Sequence, residues 1–201
     1  MTLITPAYNE EAIIVQSITR LCTFMEGLRE RYDYEVLIVN DGSVDQTGPL
    51  ADGLAADHPK VRAVHHKVNR NLGVALQTGF HHARGTYVIV LDIDLSYSPE
   101  EHIEQLLSEI TATDADIVIA SPYMKGGKNT AVPLSRLVLS KTVNWLMRKS
   151  AGKEIYTFTS MVRVYNARFL KYLNLKSGTY DINPEIIFKA IILRARVLEI
   201  P

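Results

Sequence analysis

The chain has 201 residues, enough for one domain with a sizeable core, and 47% of them are hydrophobic and 22% charged, as in soluble globular proteins. Twenty-two basic residues balance 22 acidic residues, so the net charge of zero provides no general attraction to nucleic acid. The single cysteine, Cys22, excludes an internal disulfide and a cysteine-rich zinc site. We find neither a signal peptide nor an apolar run that would span a bilayer, and expect a cytoplasmic protein.

Short apolar runs alternate with segments of helical periodicity along the chain. The runs predict strands at residues 1–5, 35–39, 61–65, 86–91, 116–120, 159–165 and 197–200. The first predicted helix has Asn9 as its N-cap and Glu10 and Glu11 in its first turn. Further helices are predicted through residues 50–54 and at 73–84, 99–111, 134–150 and 184–193. This alternation predicts an α/β fold with a mostly parallel central sheet and helices on both faces.

Three of the predicted strands run into acidic turns. The first is followed by Tyr8–Glu11, the second by Asp41–Ser43 and the fourth by Asp92–Asp94. Because the carboxyl ends of parallel strands share one edge, where ligands bind, we expect these acids to gather in one cleft. The glycine-rich fingerprints of dinucleotide-binding and P-loop proteins are missing from the sequence, so a phosphate ligand would have to be bound in another way.

A divalent metal ion held by carboxylates could bind the phosphate, because hard cations take oxygen ligands and bridge protein acids to phosphates. Asp92 and Asp94, two residues apart in a turn, are able to face one ion. The alternative is a solvated turn in which Asp94 or Ser96 caps the next helix. The presence of three acidic strand ends favours the metal site.

Four motifs resemble family 2 glycosyltransferases of the GT-A fold, most closely the polyprenyl (dolichyl) phosphate mannose and glucose synthases. They are ITPAYNEE at 4–11, VNDGS at 39–43, NLG at 71–73 and LDIDLS at 91–96, with weaker likeness at 123–127, 159–165 and 197–201. The resemblance implies a single catalytic domain over residues 1–201, with a nucleotide-binding half at 1–120 and an acceptor-side half at 121–201. Many relatives continue further, so we expect a native protein that extends beyond Pro201.

The resemblance also implies a role for individual residues. The nucleotide pocket would be lined by Pro6, Ala7, Tyr8 and Glu10, and Asp41 would contact the base or ribose. Asp92 would lie by the ribose and diphosphate, and Asp94 would be the principal ligand of Mg²⁺ or Mn²⁺, with Asp92 and Ser96 as further ligands. Arg163, at the end of the Thr159–Arg163 motif, would join Asp92 and Asp94 among the catalytic residues.

One departure from the synthases affects phosphate binding. A strand of these relatives often ends in Gly-Ser-Arg, whereas this chain has Ala120-Ser121-Pro122. The missing arginine would help to hold phosphate. Lys125, Lys128 or Arg136 therefore replaces it, or the acceptor binds differently.

The sequence thus indicates an inverting, metal-dependent hexosyltransferase that uses a nucleoside-diphosphate sugar linked to UDP or GDP. The preferred acceptor is polyprenyl phosphate. An alternative acceptor is a saccharide hydroxyl, with Asp181 or Glu185 as general base, although Glu185 also suits the first turn of a helix. A second alternative is a catalytically weak module that binds sugar nucleotides.

Two further features have competing interpretations. The pairs His65-His66 and His81-His82 point to surface or packing roles rather than to a metal site, because adjacent side chains diverge. The predicted helix at 134–150 is either a packed helix with a solvated basic side or a helix on a membrane surface. Its relevant side chains are Trp145 and the cations Arg136, Lys141, Arg148 and Lys149. With a lipid acceptor, we expect a peripheral protein on the cytoplasmic membrane face.

Overall fold

A computed structural model describes residues 1–95, 99–122, 124, 134–151 and 155–201, with the backbone alone described at 99, 101 and 134–141. Its strands are β1 (Thr2–Ala7), β2 (Glu35–Asn40), β3 (Val61–His65), β4 (Tyr87–Val90), β5 (Ile117–Ala120), β6 (Arg163–Asn166) and β7 (Val197–Ile200). Its helices are α1 (Ile14–Gly27), α2 (Thr47–Asp57), α3 (Leu72–His82), α4 (Pro99–Thr113), α5 (Leu134–Ala151), α6 (Ala167–Leu170) and α7 (Ile182–Ile192).

The strands form one seven-stranded sheet in the order β3-β2-β1-β4-β6-β5-β7. All neighbouring pairs are parallel except those of β6, which runs antiparallel to both β4 and β5. The strands of the first 120 residues and those of the tail therefore belong to the same sheet. The prediction of a mostly parallel sheet in an α/β fold is confirmed.

Apolar side chains cover both faces of the sheet, because successive residues of a buried strand point to opposite sides. Leu3 and Ile38 pack on one face with α1, α2 and α4. Ile4 and Leu37 pack on the other face with α3, α6 and α7. The sequence prediction of helices on both faces is therefore confirmed, and Cys22 lies in the first core as a small buried residue.

The predicted start of the first helix is wrong. Helix α1 begins at Ile14, with Ile13 at the N-cap position, so Asn9, Glu10 and Glu11 precede the helix. Asn9 has a φ of 57°, a left-handed conformation that asparagine tolerates better than most residues. Its side chain accepts a hydrogen bond from Val44 in the loop after β2, which holds it away from the helix.

The predicted strand at 159–165 is shifted in the structure to Arg163–Asn166. Upstream of it, side chains bind the backbone: Asn144 Oδ1 accepts the N–H of Phe158, and Arg163 donates to the Phe158 carbonyl. These contacts satisfy the backbone at Phe158 without a sheet ladder. Helix α6 was not predicted, since its four residues are too short for a periodic pattern.

Candidate active site

Strands β1, β2 and β4 bring the three acidic turns to one edge of the sheet. β1 lies between β2 and β4 and is parallel to both, so the carboxyl ends Ala7, Asn40 and Val90 meet there. The order of strands reverses between β1 and β4, since β2 and β3 continue on one side and the later strands on the other. Parallel sheets bind ligands in the crevice at such a switch point.

Glu10, Asp92 and Asp94 form an acidic cluster at this switch point. The pKa of Asp92 is raised to about 6, first by burial and then by the charges of Asp94 and Glu10. The pKa of Glu10 is also raised, first by burial and then by the charges of Asp94 and Asp45. Because each carboxylate lies in the field of the others, a cation in the cleft would stabilise their ionised forms.

A hard divalent cation fits this set of donors. Mg²⁺ in phosphate-binding sites is usually held by one or two carboxylates, with phosphate oxygens and water completing the shell, and Mn²⁺ also favours oxygen ligands. Asp92 and Asp94 supply two carboxylates, while Ser96 lies outside the described residues. Within the described ranges, no group of three or more His, Cys, Asp or Glu side chains is arranged to hold a metal. Two carboxylates would leave the rest of the coordination shell to a bound ligand and water, so Asp92 and Asp94 fit an ion that is shared with a ligand.

The loops after β1 and β2 are joined by reciprocal hydrogen bonds. The N–H of Asn9 donates to Ser43 Oγ at 3.0 Å, and the N–H of Val44 donates to Asn9 Oδ1 at 3.0 Å. The N–H of Glu10 donates to Thr47 Oγ1 at 2.7 Å. These bonds hold Glu10 at the cleft and join it to the turn that carries Asp41.

The predicted nucleotide-pocket residues follow one another at the end of β1. Pro6 and Ala7 are the last two residues of the strand, and Ala7 is buried. Tyr8 comes next and is 45% exposed, so its ring is available to a ligand. The structure thus places these residues and Glu10 at one mouth of the cleft, and their contacts with a nucleotide remain a prediction.

Asp41 lies in the turn after β2, where two loops approach closely. Gly42 has a φ of 69°, and a Cβ there would lie 2.2 Å from the carbonyl carbon of Val68, so glycine is required. The Asp41 carboxylate contacts His66 Nδ1 at 2.6 Å and accepts the N–H of Arg70 at 3.0 Å. Asp41 is therefore a buried, fixed carboxylate beside the switch point.

The histidine pair at the end of β3 holds the two polar residues at the end of β2. His66 contacts Asp41, while His65 Nδ1 lies 3.0 Å from Asn40 Nδ2 and its Nε2 lies 3.0 Å from Asp52. The packing interpretation of this pair agrees with these contacts. Sequence reasoning missed that His66 touches a predicted site residue, since that contact depends on the pairing of β2 with β3.

Arg163 is fully buried at the start of β6, opposite Val90 of β4, and so lies under the same edge. Its guanidinium donates to the carbonyls of Asn183 and Phe158, and burial lowers its pKa. Its Nε has no hydrogen-bond partner among the described residues. These contacts tie the tail of the chain to the sheet, and a catalytic role for Arg163 remains a prediction.

The two carboxylates considered as general bases have lowered pKa values. Hydrogen bonds, the first of them from Thr179, lower the pKa of Asp181. Partial burial would raise the pKa of Glu185, but hydrogen bonds from Lys189 and from backbone N–H groups outweigh this effect. Glu185 accepts the N–H groups of Lys176 and Ser177, so it anchors a loop. A lowered pKa makes a carboxylate a weaker base.

Helix α5 also belongs to this edge of the sheet. Asn144 of α5 bonds both Phe158 and Thr159, and residues 158–162 lead into β6 at the carboxyl end of β4. Trp145 is 58% exposed, and Lys149 lies over its ring. Among the cations proposed to replace the missing arginine, Lys125 and Lys128 lie outside the described residues, as does the side chain of Arg136.

A cavity of about 420 Å³ lies between α3 and α6, near Val88 and Ala167 at the amino edge of β4. It is lined by apolar residues such as Phe80 and Leu170 together with Lys171, and no carboxylate is among the described residues that line it. It is thus separate from the acidic cluster, which lies past the carboxyl ends of the strands. We place the functional site at the carboxyl edge because the acids are there.

A mostly parallel sheet with acidic side chains at its switch point is the arrangement in which α/β proteins bind ligands at the carboxyl edge. Residues 2–174 match the family described as Glycosyl transferase family 2. The chain therefore belongs to glycosyl transferase family 2, and the expected family is confirmed.

Two curated relatives match nearly the whole chain. Polyprenol monophosphomannose synthase of Mycolicibacterium smegmatis is 35% identical, over 99% of this chain and 75% of the relative. Undecaprenyl-phosphate mannosyltransferase of Micrococcus luteus is 32% identical, over 98% of this chain and 80% of the relative.

A solved structure supports the expected fold. Mannosyltransferase PcManGT from Pyrobaculum calidifontis, in complex with GDP-Man and Mn²⁺, superposes with a TM-score of 0.68 at 18% identity. The match covers 100% of this chain and 54% of that chain. The GT-A fold is therefore confirmed.

Proposed function

We propose that this chain is an inverting, metal-dependent glycosyltransferase that moves a hexose from a nucleoside-diphosphate sugar to polyprenyl phosphate. The observation that carries the proposal is the acidic cluster at the switch point, where Asp92 and Asp94 lie together past β4. Membership of the family and the names of the relatives, which act on polyprenol and undecaprenyl phosphates, support the reaction and its acceptor.

The donor would lie along the carboxyl edge from β2 to β4. Asp41 would contact the base or ribose, and Pro6, Ala7, Tyr8 and Glu10 would line the pocket. Asp92 would lie by the ribose and diphosphate, and Asp94 would be the principal ligand of Mg²⁺ or Mn²⁺, with Asp92 and Ser96 assisting. When bound, the ion supplies positive charge that stabilises the departing diphosphate.

The transfer itself exchanges one carbon–oxygen bond for another. An oxygen of the acceptor phosphate attacks the anomeric carbon on the face opposite the diphosphate, and the bond to the diphosphate oxygen breaks. The electron pair leaves with the nucleoside diphosphate, so the configuration inverts. Because the attacking phosphate oxygen is already anionic, no general base is needed, which agrees with the lowered pKa values of Asp181 and Glu185.

Peripheral attachment to the cytoplasmic membrane face is part of the proposal. A polyprenyl acceptor lies in a bilayer, so the edge that carries Asp92 must reach the membrane surface. Within the described ranges, no helix is both long and apolar enough to cross a bilayer. Exposed Trp145 and Leu146, beside Arg148 and Lys149 on α5, have the chemistry of a membrane-surface helix.

The test is product formation by the purified chain. We would incubate it with labelled GDP-mannose, UDP-glucose or UDP-N-acetylglucosamine, with Mn²⁺, and with undecaprenyl phosphate in detergent or a saccharide acceptor. A lipid-linked product that requires undecaprenyl phosphate and disappears on chelation of the metal supports the proposal. A product with the saccharide alone assigns the alternative acceptor, and donor binding without any product indicates a binding module.

A further inference from the structure

The two oxygens of the Asp41 carboxylate differ in their surroundings. Oδ1 accepts hydrogen bonds from His66 Nδ1, at 2.6 Å, and from the backbone N–H of Arg70, at 3.0 Å. The side chains of Asp41 and His66 are only 5% and 7% exposed, so these bonds are shielded from water. Every hydrogen bond that the described residues donate to this carboxylate ends on Oδ1, so Oδ2 keeps its capacity to accept a hydrogen bond from a ligand.

The ring of His66 is itself fixed on its other side. Its Nε2 lies 2.9 Å from the hydroxyl of Thr78 on α3, and its backbone N–H donates to the carbonyl of Asn40 at 2.9 Å. A carboxylate only accepts hydrogen bonds, so Nδ1 carries the proton, and in the neutral ring Nε2 accepts from the Thr78 hydroxyl. A chain of hydrogen bonds thus runs from Thr78 through His66 to Asp41.

We propose that His66 is a positioning residue for the donor nucleotide. It holds Oδ1 of Asp41, so that Oδ2 is presented in one orientation to an N–H or O–H group of the nucleoside. Without the ring, only the N–H of Arg70 would hold Oδ1, so the carboxylate would have more rotational freedom about its Cβ–Cγ bond, which binding would have to restrict. This inference rests on the proposed function, which assigns a nucleotide contact to Asp41.

Two conservative variants separate a positioning role from simple packing. In His66→Asn the amide nitrogen takes the place of Nδ1 and reaches Asp41, whereas in His66→Gln the amide takes the place of Nε2 and reaches only Thr78. Both variants place a polar amide in the same buried site, so they serve as matched controls for each other. We expect His66→Asn to keep most of the nucleotide affinity and His66→Gln to weaken it about tenfold to a hundredfold, as for a hydrogen bond to a charged group.

The measurement is the dissociation constant of UDP and of GDP, each with Mn²⁺, by titration calorimetry of the full chain. The variants are also made in the Asp41→Asn background. If His66 acts through Asp41, His66→Gln adds no further loss there, whereas a residue that only maintains packing would add its loss in both backgrounds. Thr78→Val, which keeps the ring and removes its second anchor, provides the same comparison should His66→Gln fail to fold.

Equal affinities for His66→Asn and His66→Gln, or full additivity with Asp41→Asn, would overturn the inference and leave the proposed function standing. If Asp41→Asn binds as tightly as the wild type, the assigned nucleotide contact fails and the inference fails with it. Stronger binding by His66→Asn than by His66→Gln, combined with no added loss in the Asp41→Asn background, supports it.

Discussion

Asp92 holds negative charge where the free protein disfavours it. The raised pKa of Asp92, to about 6, arises first from burial and then from the neighbouring charges of Asp94 and Glu10. Such an arrangement reduces the stability of the free protein, because like charges repel in a partly buried site. The arrangement favours any ligand that brings a cation into the cleft. The same carboxylates should therefore strengthen the binding of a metal-bound ligand and reduce the stability of the ligand-free protein.

The first prediction follows from this opposition. Asp94→Ala should abolish metal-dependent binding of sugar nucleotides, so that affinity in Mn²⁺ becomes more than about 100-fold weaker. The loss of a residue that only orients a metal ligand weakens metal binding by about 10–100-fold, and the loss of the ligand itself should cost more. The fold should remain intact, because one repulsive charge is removed. Titration calorimetry with and without Mn²⁺ measures the binding.

Asp57→Ala is the matched control, since Asp57 is an exposed carboxylate at the end of α2. It should leave affinity and metal dependence unchanged. In Asp94→Ala the pKa of Asp92 should fall, which can be followed by carbon-detected NMR. Unchanged metal dependence in Asp94→Ala would remove Asp94 from the metal site.

A second prediction concerns pH and Glu35. Burial would raise the pKa of Glu35, but bonds from Thr2, Arg62 and the Arg84 N–H outweigh it, so the folded pKa lies below its ordinary value of 4.5. Glu35 therefore stabilises the fold above about pH 4.5, and that contribution is lost as pH falls through the folded pKa.

The measurement is the melting temperature of the wild type and of Glu35→Gln between pH 3 and pH 7. The wild type should melt higher at pH 7, and the gap should narrow toward the acidic end as Glu35 becomes protonated. A gap of constant size across this range would show that the charge of Glu35 does not contribute.

Some contacts of the candidate site could be predicted from the sequence and others could not. The acids of the three turns were predictable as neighbours, because strand ends in a parallel sheet share an edge. The contact between His66 and Asp41 was not, since it depends on the register that pairs Asn40 with His65. The burial of Arg163 was equally hidden, because nothing in a local pattern shows that the Asn183 carbonyl approaches it.

Among the helices and strands, the sequence predicted those whose apolar residues recur with the period of a helix or form a continuous run. The predicted bounds of β3 and β7 agree with the structure. The antiparallel direction of β6 and its place between β4 and β5 were not predicted, since an apolar run has the same pattern in either direction. The start of α1 was misplaced because Asn9 bonds a loop distant in sequence.

A third prediction tests how α3 meets the tail of the chain. A Cβ at Gly73 would lie 2.4 Å from the carbonyl carbon of Gly178 and 2.5 Å from the oxygen of Ser177. These are backbone atoms, and the same loop is held by Glu185, so it has little freedom to move. Gly73→Ala should therefore lower the free energy of unfolding by about 1–3 kcal/mol, the range for overpacking.

Gly53 of α2 provides the control, because a Cβ there meets nothing within 4 Å. Gly53→Ala should raise the free energy of unfolding by about 0.5–1 kcal/mol, since alanine loses less backbone entropy in a helix. Urea denaturation measures both variants. Equal stabilisation by the two substitutions would mean that α3 and the tail are not in contact in solution.

The protein as a whole places α5 on the same edge as the acidic cluster. Asn144 connects α5 to the segment before β6 through its bond with the N–H of Phe158. In the same segment, the N–H groups of Tyr156 and Thr157 donate to Glu199 of β7. Arg148 lies over the Tyr156 ring, and Lys149 lies over the Trp145 ring. Aromatic and cationic groups are thus paired on a surface at the edge of the sheet that carries the proposed donor site.

The last prediction is that α5 binds an anionic membrane surface. Each cation near such a surface contributes about 1 kcal/mol, so four would hold the protein weakly but measurably. The attraction should fade at high salt, because the screening length falls to about 3 Å at 1 M. The measurement is co-sedimentation with vesicles that contain phosphatidylglycerol, for the wild type and a variant with glutamine at the four cations of α5, Arg136, Lys141, Arg148 and Lys149.

A second variant, matched in charge, carries glutamine at four exposed cations of the opposite edge, Arg84, Arg168, Lys171 and Arg194. If α5 faces the membrane, the α5 variant should lose binding and the matched variant should keep it, since both lower the net charge by four. Equal losses would mean that binding follows net charge alone. No binding by the wild type at low salt would return α5 to a packing role, with Trp145 exposed for another reason.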